Sequence, residues 1–183
     1  SPLLQDMAIH TFDAARYLCG ADPVSVYCEH FNPPWSWYPG HACATALFDM
    51  TGGLKYTYRG CWTNQGFDTA WEAEWRAIGP HGTVLWDGLS APRAEIGGEP
   101  GTFPIDIMRE TEALDPAMAT WLEGSLLAFI DGMDSGRAPM GECHDNLKSL
   151  AMVFGAVESA VTGQRIQISE LLQGSSASPC HEM

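Results

Sequence analysis

Asp6, His10, Asp13 and Tyr17 put two carboxylates, an imidazole and a phenol at helical spacing near the start of the chain. On a helix turning about 100° per residue, the four fall within an arc of roughly 60°. An acid one turn before an imidazole suits proton transfer from a hydroxyl, because histidine titrates near neutrality and the carboxylate can orient its ring. On an arbitrary helix the same i, i+4 pair is a solvated surface contact worth about a few tenths of a kcal/mol. The helix predicted over Leu4–Leu18 also carries Ala8, Phe12, Ala15 and Cys19 on the opposite side, as its packing face.

The elements that must hold this helix follow in order. Gly20-Ala-Asp-Pro23 predicts a stop and a turn, and Val24–His30 a strand. Phe31–Gly40 holds three prolines and four aromatic residues, and predicts an aromatic loop. Period-2 alternation then predicts strands over His41–Met50, Leu54–Trp62, Ala70–Ile78 and Thr83–Asp87, with Ala91–Ile96 as an edge strand. Trp71 and Trp75 read as core. Gly97 to about Ala117 reads as loop. Thr120–Met133 predicts a helix packing through Trp121, Leu122, Leu126, Phe129, Ile130 and Met133. Asp145–Thr162 predicts another, capped by Asp145, and Arg165–Ile168 a last strand. Helix, meander, then helices is α+β: one open, predominantly antiparallel sheet with helices on one face. Residues 1–172 are expected as one domain and 173–183 as a disordered tail.

At 183 residues and 45% hydrophobic, the chain can build a real core. Its net charge of −14, with Lys55 and Lys148 the only lysines, argues against nucleic acid or anionic lipid as partner. No apolar run reaches the ~20 residues of a membrane span, so a cytoplasmic protein is expected. The six cysteines form no C-x-x-C pair and read as free thiols. No metal site is predicted, either at Glu142-Cys143-His144-Asp145 or from the weaker set Cys28, His30 and His41. The sequence has no G-x-G-x-x-G or other phosphate cradle.

Several segments together resemble one family. Asp6-Met-Ala-Ile-His10-Thr-Phe-Asp13-Ala-Ala-Arg16-Tyr17-Leu18 is similar to a D-x-G-x-H-x-x-D-x-x-R-x-L helix, with Ala8 where the glycine usually stands. Gly52-Gly53 before Tyr56-x-Tyr58-x-Gly60-x-Trp62, Ile78-Gly-Pro-His-Gly82-Thr, and a closing helix ending Ser159-Ala-Val-Thr-Gly163 follow in matching order. Together they resemble the C-terminal domain of the glucose–fructose oxidoreductase / inositol dehydrogenase / MocA (Gfo/Idh/MocA) family, which has a dihydrodipicolinate-reductase-like fold.

The resemblance implies a preceding Rossmann domain that carries NAD or NADP and a catalytic lysine, with no cofactor held by this chain alone. It implies His10 as general base or acid for the reacting hydroxyl of a sugar or polyol, oriented by Asp6. Asp13 is expected either to bind a substrate hydroxyl or to serve structurally, as a cap or an ion pair. Arg16 is expected to be structural. Trp37 and Tyr38, with Trp35, are expected to cover the substrate, and Arg59 to meet the substrate or an interface. The open sheet face is expected to join copies into a homo-oligomer. The rival reading is a non-catalytic binding or assembly module on the same fold.

Overall fold

The computed structural model describes residues 1–97, 108–110 and 120–174. A wide turn at Leu3–Met7 opens the chain, followed by α1 (Ala8–Cys19), β1 (Pro23–Phe31), β2 (Cys43–Met50) and β3 (Lys55–Cys61). Next come β4 (Trp75–Gly79), β5 (Gly82–Trp86), β6 (Arg93–Ile96), β7 (Met108–Glu110) and α2 (Trp121–Ser135). The chain continues through α3 (Cys143–Thr162), β8 (Ile166–Gln167) and α4 (Ile168–Gly174). The class is α+β with antiparallel sheets, as expected. It has two four-stranded sheets, however, ordered β3-β2-β1-β8 and β4-β5-β6-β7, where one meander was predicted. They belong to two compact units, Ser1–Gln65 with Gly141–Met183, and Gly66–Met140.

The core of the first unit follows from the alternation of its strands. Val26 and Cys28 of β1 and Ala44, Ala46 and Phe48 of β2 point inward and are buried. On to that face α1 sets Ala8, Phe12 and Ala15, all fully buried. The Phe12 ring meets Phe48, Tyr58 and Tyr56 edge-on, with centroids 4.9, 5.1 and 6.2 Å away. Cys19, predicted on this packing face, is exposed, because α1 ends there as Gly20 turns left-handed at φ 58°.

Helix α3 lies close along β1 because Gly155 has no side chain. A Cβ there would come within 2.7 Å of Ile168 and 3.1 Å of Val26. Strand β8 pairs with β1 only at Ser25 and Val26. Past its end, the buried Ser159 hydroxyl accepts from the Cys28 N–H at 2.9 Å, so the edge stays satisfied.

Arg16 ties these pieces together, confirming its structural role. Its side chain is 7% exposed; Nη2 donates to Asp145 at 2.9 Å and Asp22 at 3.0 Å, and Nη1 to Ser149 at 2.8 Å. Lys148 adds a second cation on Asp22 at 2.7 Å. Arg16→Met should therefore lower stability by about 2 kcal/mol, short of a fully buried pair because the carboxylates remain partly in water. Burial alone would raise the Asp22 carboxyl, but hydrogen bonds from Lys148 and Arg16 reverse that and hold it below its usual range. The Arg16 hydrogen bond does the same for Asp145. With folded values below unfolded ones, this stabilisation is complete above the unfolded carboxylate range of about 4 and fades as pH falls through the folded values. Urea midpoints measured across that range should fall steeply for the wild type and less for Arg16→Met.

The second unit departs further from expectation. Its first strand begins at Trp75, not Ala70, because the Ala73 N–H closes a turn on Ala70 and Ala73 takes φ 63°. Trp71 is exposed as a result, not core. Strand β6 is interior to its sheet, since Met108–Glu110, within the expected loop, pairs along it as β7. The rest of that expected loop lies largely outside the described residues. Helix α2 forms as predicted, but Trp121, Leu122, Leu126, Phe129, Ile130 and Met133 are all exposed. In the first unit, α3 begins earlier than predicted: Glu142, not Asp145, is its cap and accepts from the N–H groups of His144 and Asp145. Asp145 is spent on Arg16. Of the expected tail, Gln173 and Gly174 close α4, and 175–183 lie outside the described residues.

Candidate active site

Asp6 and His10 are both exposed, on an element whose other side is fixed by Leu3, Leu4, Ala8 and Phe12 in the core. Polar groups on the outer side of a buried helix are held without being sequestered. The two residues stand on different kinds of turn. Leu3–Met7 is bonded i to i+5, and the Ala8 N–H closes it on the Leu3 carbonyl. The constant angular step assumed from the sequence therefore holds only from Ala8 onward. Such widened turns recur at functional sites and re-aim the side chains they carry.

Farther along the face, the groups part company. Asp13 accepts from the Ser149 hydroxyl at 2.6 Å and lies 3.6 Å from Arg16, within the network that joins α1 to α3. Of the two roles left open for it, the ion pair is present. Tyr17 is exposed.

The aromatic loop is an anchored structure. Tyr38 stacks on Trp37 at 4.1 Å and on Trp62 at 5.4 Å, and Trp62 packs against the core. The Trp35 indole N–H donates to the Thr63 carbonyl at 2.9 Å, and the Asn32 amide to the Tyr38 carbonyl at 3.1 Å. At its outer end Trp37 is 78% exposed. Arg59, opposite Thr45 in the ladder, alternates with Tyr58 and so lies on the sheet face turned away from α1. The structure thus places Arg59 and the Asp6–His10 edge on different sides of the first sheet.

Two features escaped the sequence reading because they depend on strand register. His30 and His41 stack at 3.8 Å with rings 21° apart, and His30 Nδ1 is buried without a partner. Burial, with His41 next to it, holds the His30 imidazolium below its ordinary value. In the second unit Trp75 and Trp86 are direct cross-strand partners, and with Arg76, Leu85, Asp87 and Arg93 they line an open cleft of about 840 Å³. The ligand atoms of Glu142, Cys143 and His144 lie within 4.8 Å of one another, with the Glu142 carboxylate already capping α3.

A family profile described as the GFO/IDH/MocA C-terminal domain matches residues 2–85. That stretch of the chain is similar to the GFO/IDH/MocA C-terminal domain. Two relatives match beyond that span. The uncharacterized protein y4oX of Sinorhizobium fredii is 28% identical over 180 residues, covering 94% of this chain and 48% of its own length. The D-apiose dehydrogenase of Rhizobium rhizogenes is 29% identical over 182 residues, covering 93% of this chain and 50% of its own. An oxidoreductase from Agrobacterium radiobacter, crystallised with NAD+, L-tartaric acid and magnesium, superposes with a TM-score of 0.73 at 25% identity. That match covers 92% of this chain and 49% of that one. The chain spans about half the length of the relatives it matches. Among the described residues no helix is long and apolar enough to cross a membrane.

The family implies NAD(P). Both described sheets are antiparallel throughout, and neither supplies the parallel β-α-β cradle a dinucleotide needs. These residues do not fit the group by themselves.

Proposed function

We propose that this domain binds a sugar, polyol or related hydroxylated substrate and handles its hydroxyl proton in an NAD(P)-dependent oxidoreductase, the nucleotide being held by another domain of the full-length protein. The observation that carries this reading is the exposure of both Asp6 and His10 along a helix start whose Leu3, Leu4, Ala8 and Phe12 are buried. An imidazole nitrogen of His10 takes the proton from the reacting hydroxyl, and the Asp6 carboxylate orients the ring or accepts from a neighbouring hydroxyl. Trp37 and Tyr38 offer stacked, anchored faces to the C–H surface of a sugar ring. The D-apiose dehydrogenase relative supports the substrate class, and the NAD+ complex of the Agrobacterium radiobacter protein supports the cofactor. Asp13 serves the helix network in this reading. The outer face of the first sheet, with Val24, Tyr27 and Leu47 exposed, serves association between copies, and Arg59 lies on that face.

The test is turnover. Full-length protein supplied with NAD+ or NADP+ should reduce it with one class among aldoses, alditols and hydroxy acids. Trp37→Ala should then raise KM about tenfold with kcat retained, the loss of one stacking contact. Absence of turnover with every class would overturn the reading.

A further inference from the structure

We propose that Cys43 and Cys61 form a redox-modification site, at which a peroxide oxidises the cross-strand thiol pair to a disulfide that staples β2 to β3 at the root of the aromatic loop. The two residues are direct partners in the antiparallel ladder. Such partners have Cα atoms about 4.5–5.5 Å apart, which a disulfide spans without moving the backbone. Their sulfurs already lie 2.7 Å apart, closer than two unbonded sulfurs ordinarily approach. Among the described cysteines, Cys19, Cys28 and Cys143 have no such thiol neighbour.

The surroundings give the two sulfurs different roles. Cys61 is exposed and open to a small oxidant, whereas Cys43 is 1% exposed. Thr63 Oγ1 lies 3.4 Å from the Cys61 sulfur and 3.7 Å from that of Cys43. Burial alone would raise the Cys61 thiol, but hydrogen bonds from Cys43, the Thr63 hydroxyl and the Thr63 and Asn64 N–H groups hold it below its ordinary value. Burial and the bond to Cys61 push Cys43 up. Cys61 is therefore the attacking thiolate and Cys43 the resolving thiol.

The chemistry balances with hydrogen peroxide as oxidant. The Cys61 thiolate attacks one peroxide oxygen, the O–O bond breaks, and Cys61 becomes a sulfenic acid while the released hydroxide takes up a proton as water. The Cys43 sulfur then attacks the sulfenic sulfur; the S–O bond breaks, Cys43 gives up its proton, and a second water leaves. Two thiols lose two electrons, and one peroxide becomes two waters. The new bond would close where the loop is anchored, since the Trp35 indole holds the Thr63 carbonyl and the Trp62 N–H holds the Ala42 carbonyl.

The test is a thiol map. Reduced protein is exposed to stoichiometric hydrogen peroxide, remaining thiols are blocked with iodoacetamide, and the digest is read by mass spectrometry. The expected result is a peptide pair joined through Cys43 and Cys61, two hydrogens lighter than its parts and separated by dithiothreitol, with Cys19 and Cys143 still alkylated. In Cys43→Ser, dimedone should trap Cys61 as its sulfenic acid; if that variant fails to fold, the wild-type map decides alone. Alkylated Cys43 and Cys61 at a dose that oxidises Cys143, or either residue bonded to another cysteine, would overturn the proposal.

Discussion

Replacing His10 with alanine in the full-length protein should lower kcat by about 10²–10⁴-fold, the usual worth of a positioned acid–base group. That corresponds to about 3–5 kcal/mol of barrier, with substrate binding largely kept. The position suits the experiment. His10 is exposed, and alanine is a better helix former, so removing the imidazole should leave the fold nearly unchanged. Steady-state kinetics beside a thermal melt separates lost chemistry from lost structure. Asp6→Asn should act in the same direction by a smaller factor, because it orients the imidazole without taking the proton. An unchanged kcat in the His10 variant would leave the binding or assembly module as the better account of the domain.

Phe12→Ala should be the most damaging single truncation in the first unit, costing about 3–5 kcal/mol. Phe12 is fully buried and is the one ring that α1 sends between Phe48, Tyr56 and Tyr58. Its loss leaves a cavity bounded by two sheet strands that cannot collapse without breaking their own ladder. Urea denaturation should show a lowered midpoint with an unchanged slope. Because His10 rides on α1 and Asp6 on the turn that leads into it, activity in this variant should follow the folded fraction, unlike the His10 case. Phe12→Leu should cost far less, since it fills most of the volume.

How far the sequence could be read depended on whether a property was local. The body and end of α1 were legible because apolar spacing and Gly20 act within a few residues. β1 to β3 were legible because each is half buried and alternates cleanly. Helix α2 shows the limit. Its apolar period predicted the helix correctly, yet period cannot say what a face packs against, and the face is exposed. The strand predicted from Ala70 failed on a single backbone angle at Ala73, to which alternation is blind. At the proposed site, Asp6 and His10 stood out by residue type and interval. The bonding of the turn beneath Asp6 did not, since an i to i+5 closure leaves no compositional mark. Cys43 facing Cys61, and His30 stacked on His41, needed a strand register that only the folded sheet fixes.

The first unit is written in two pieces, residues 1–65 and 141–183, with the second unit between them. A ribosome making this chain releases α1 and three strands of the first sheet long before Met152, Ala156 and Ile168, which complete their core, have been made. Until then the Cys28 N–H lacks the Ser159 hydroxyl, and Arg16 has only the acids nearest it in sequence. Such long sequence separations slow folding and leave apolar sheet surface open while synthesis continues. The segment that presents Asp6 and His10 is thus made well before the residues that secure it, and the nascent chain passes through a stage in which its apolar sheet face lacks cover.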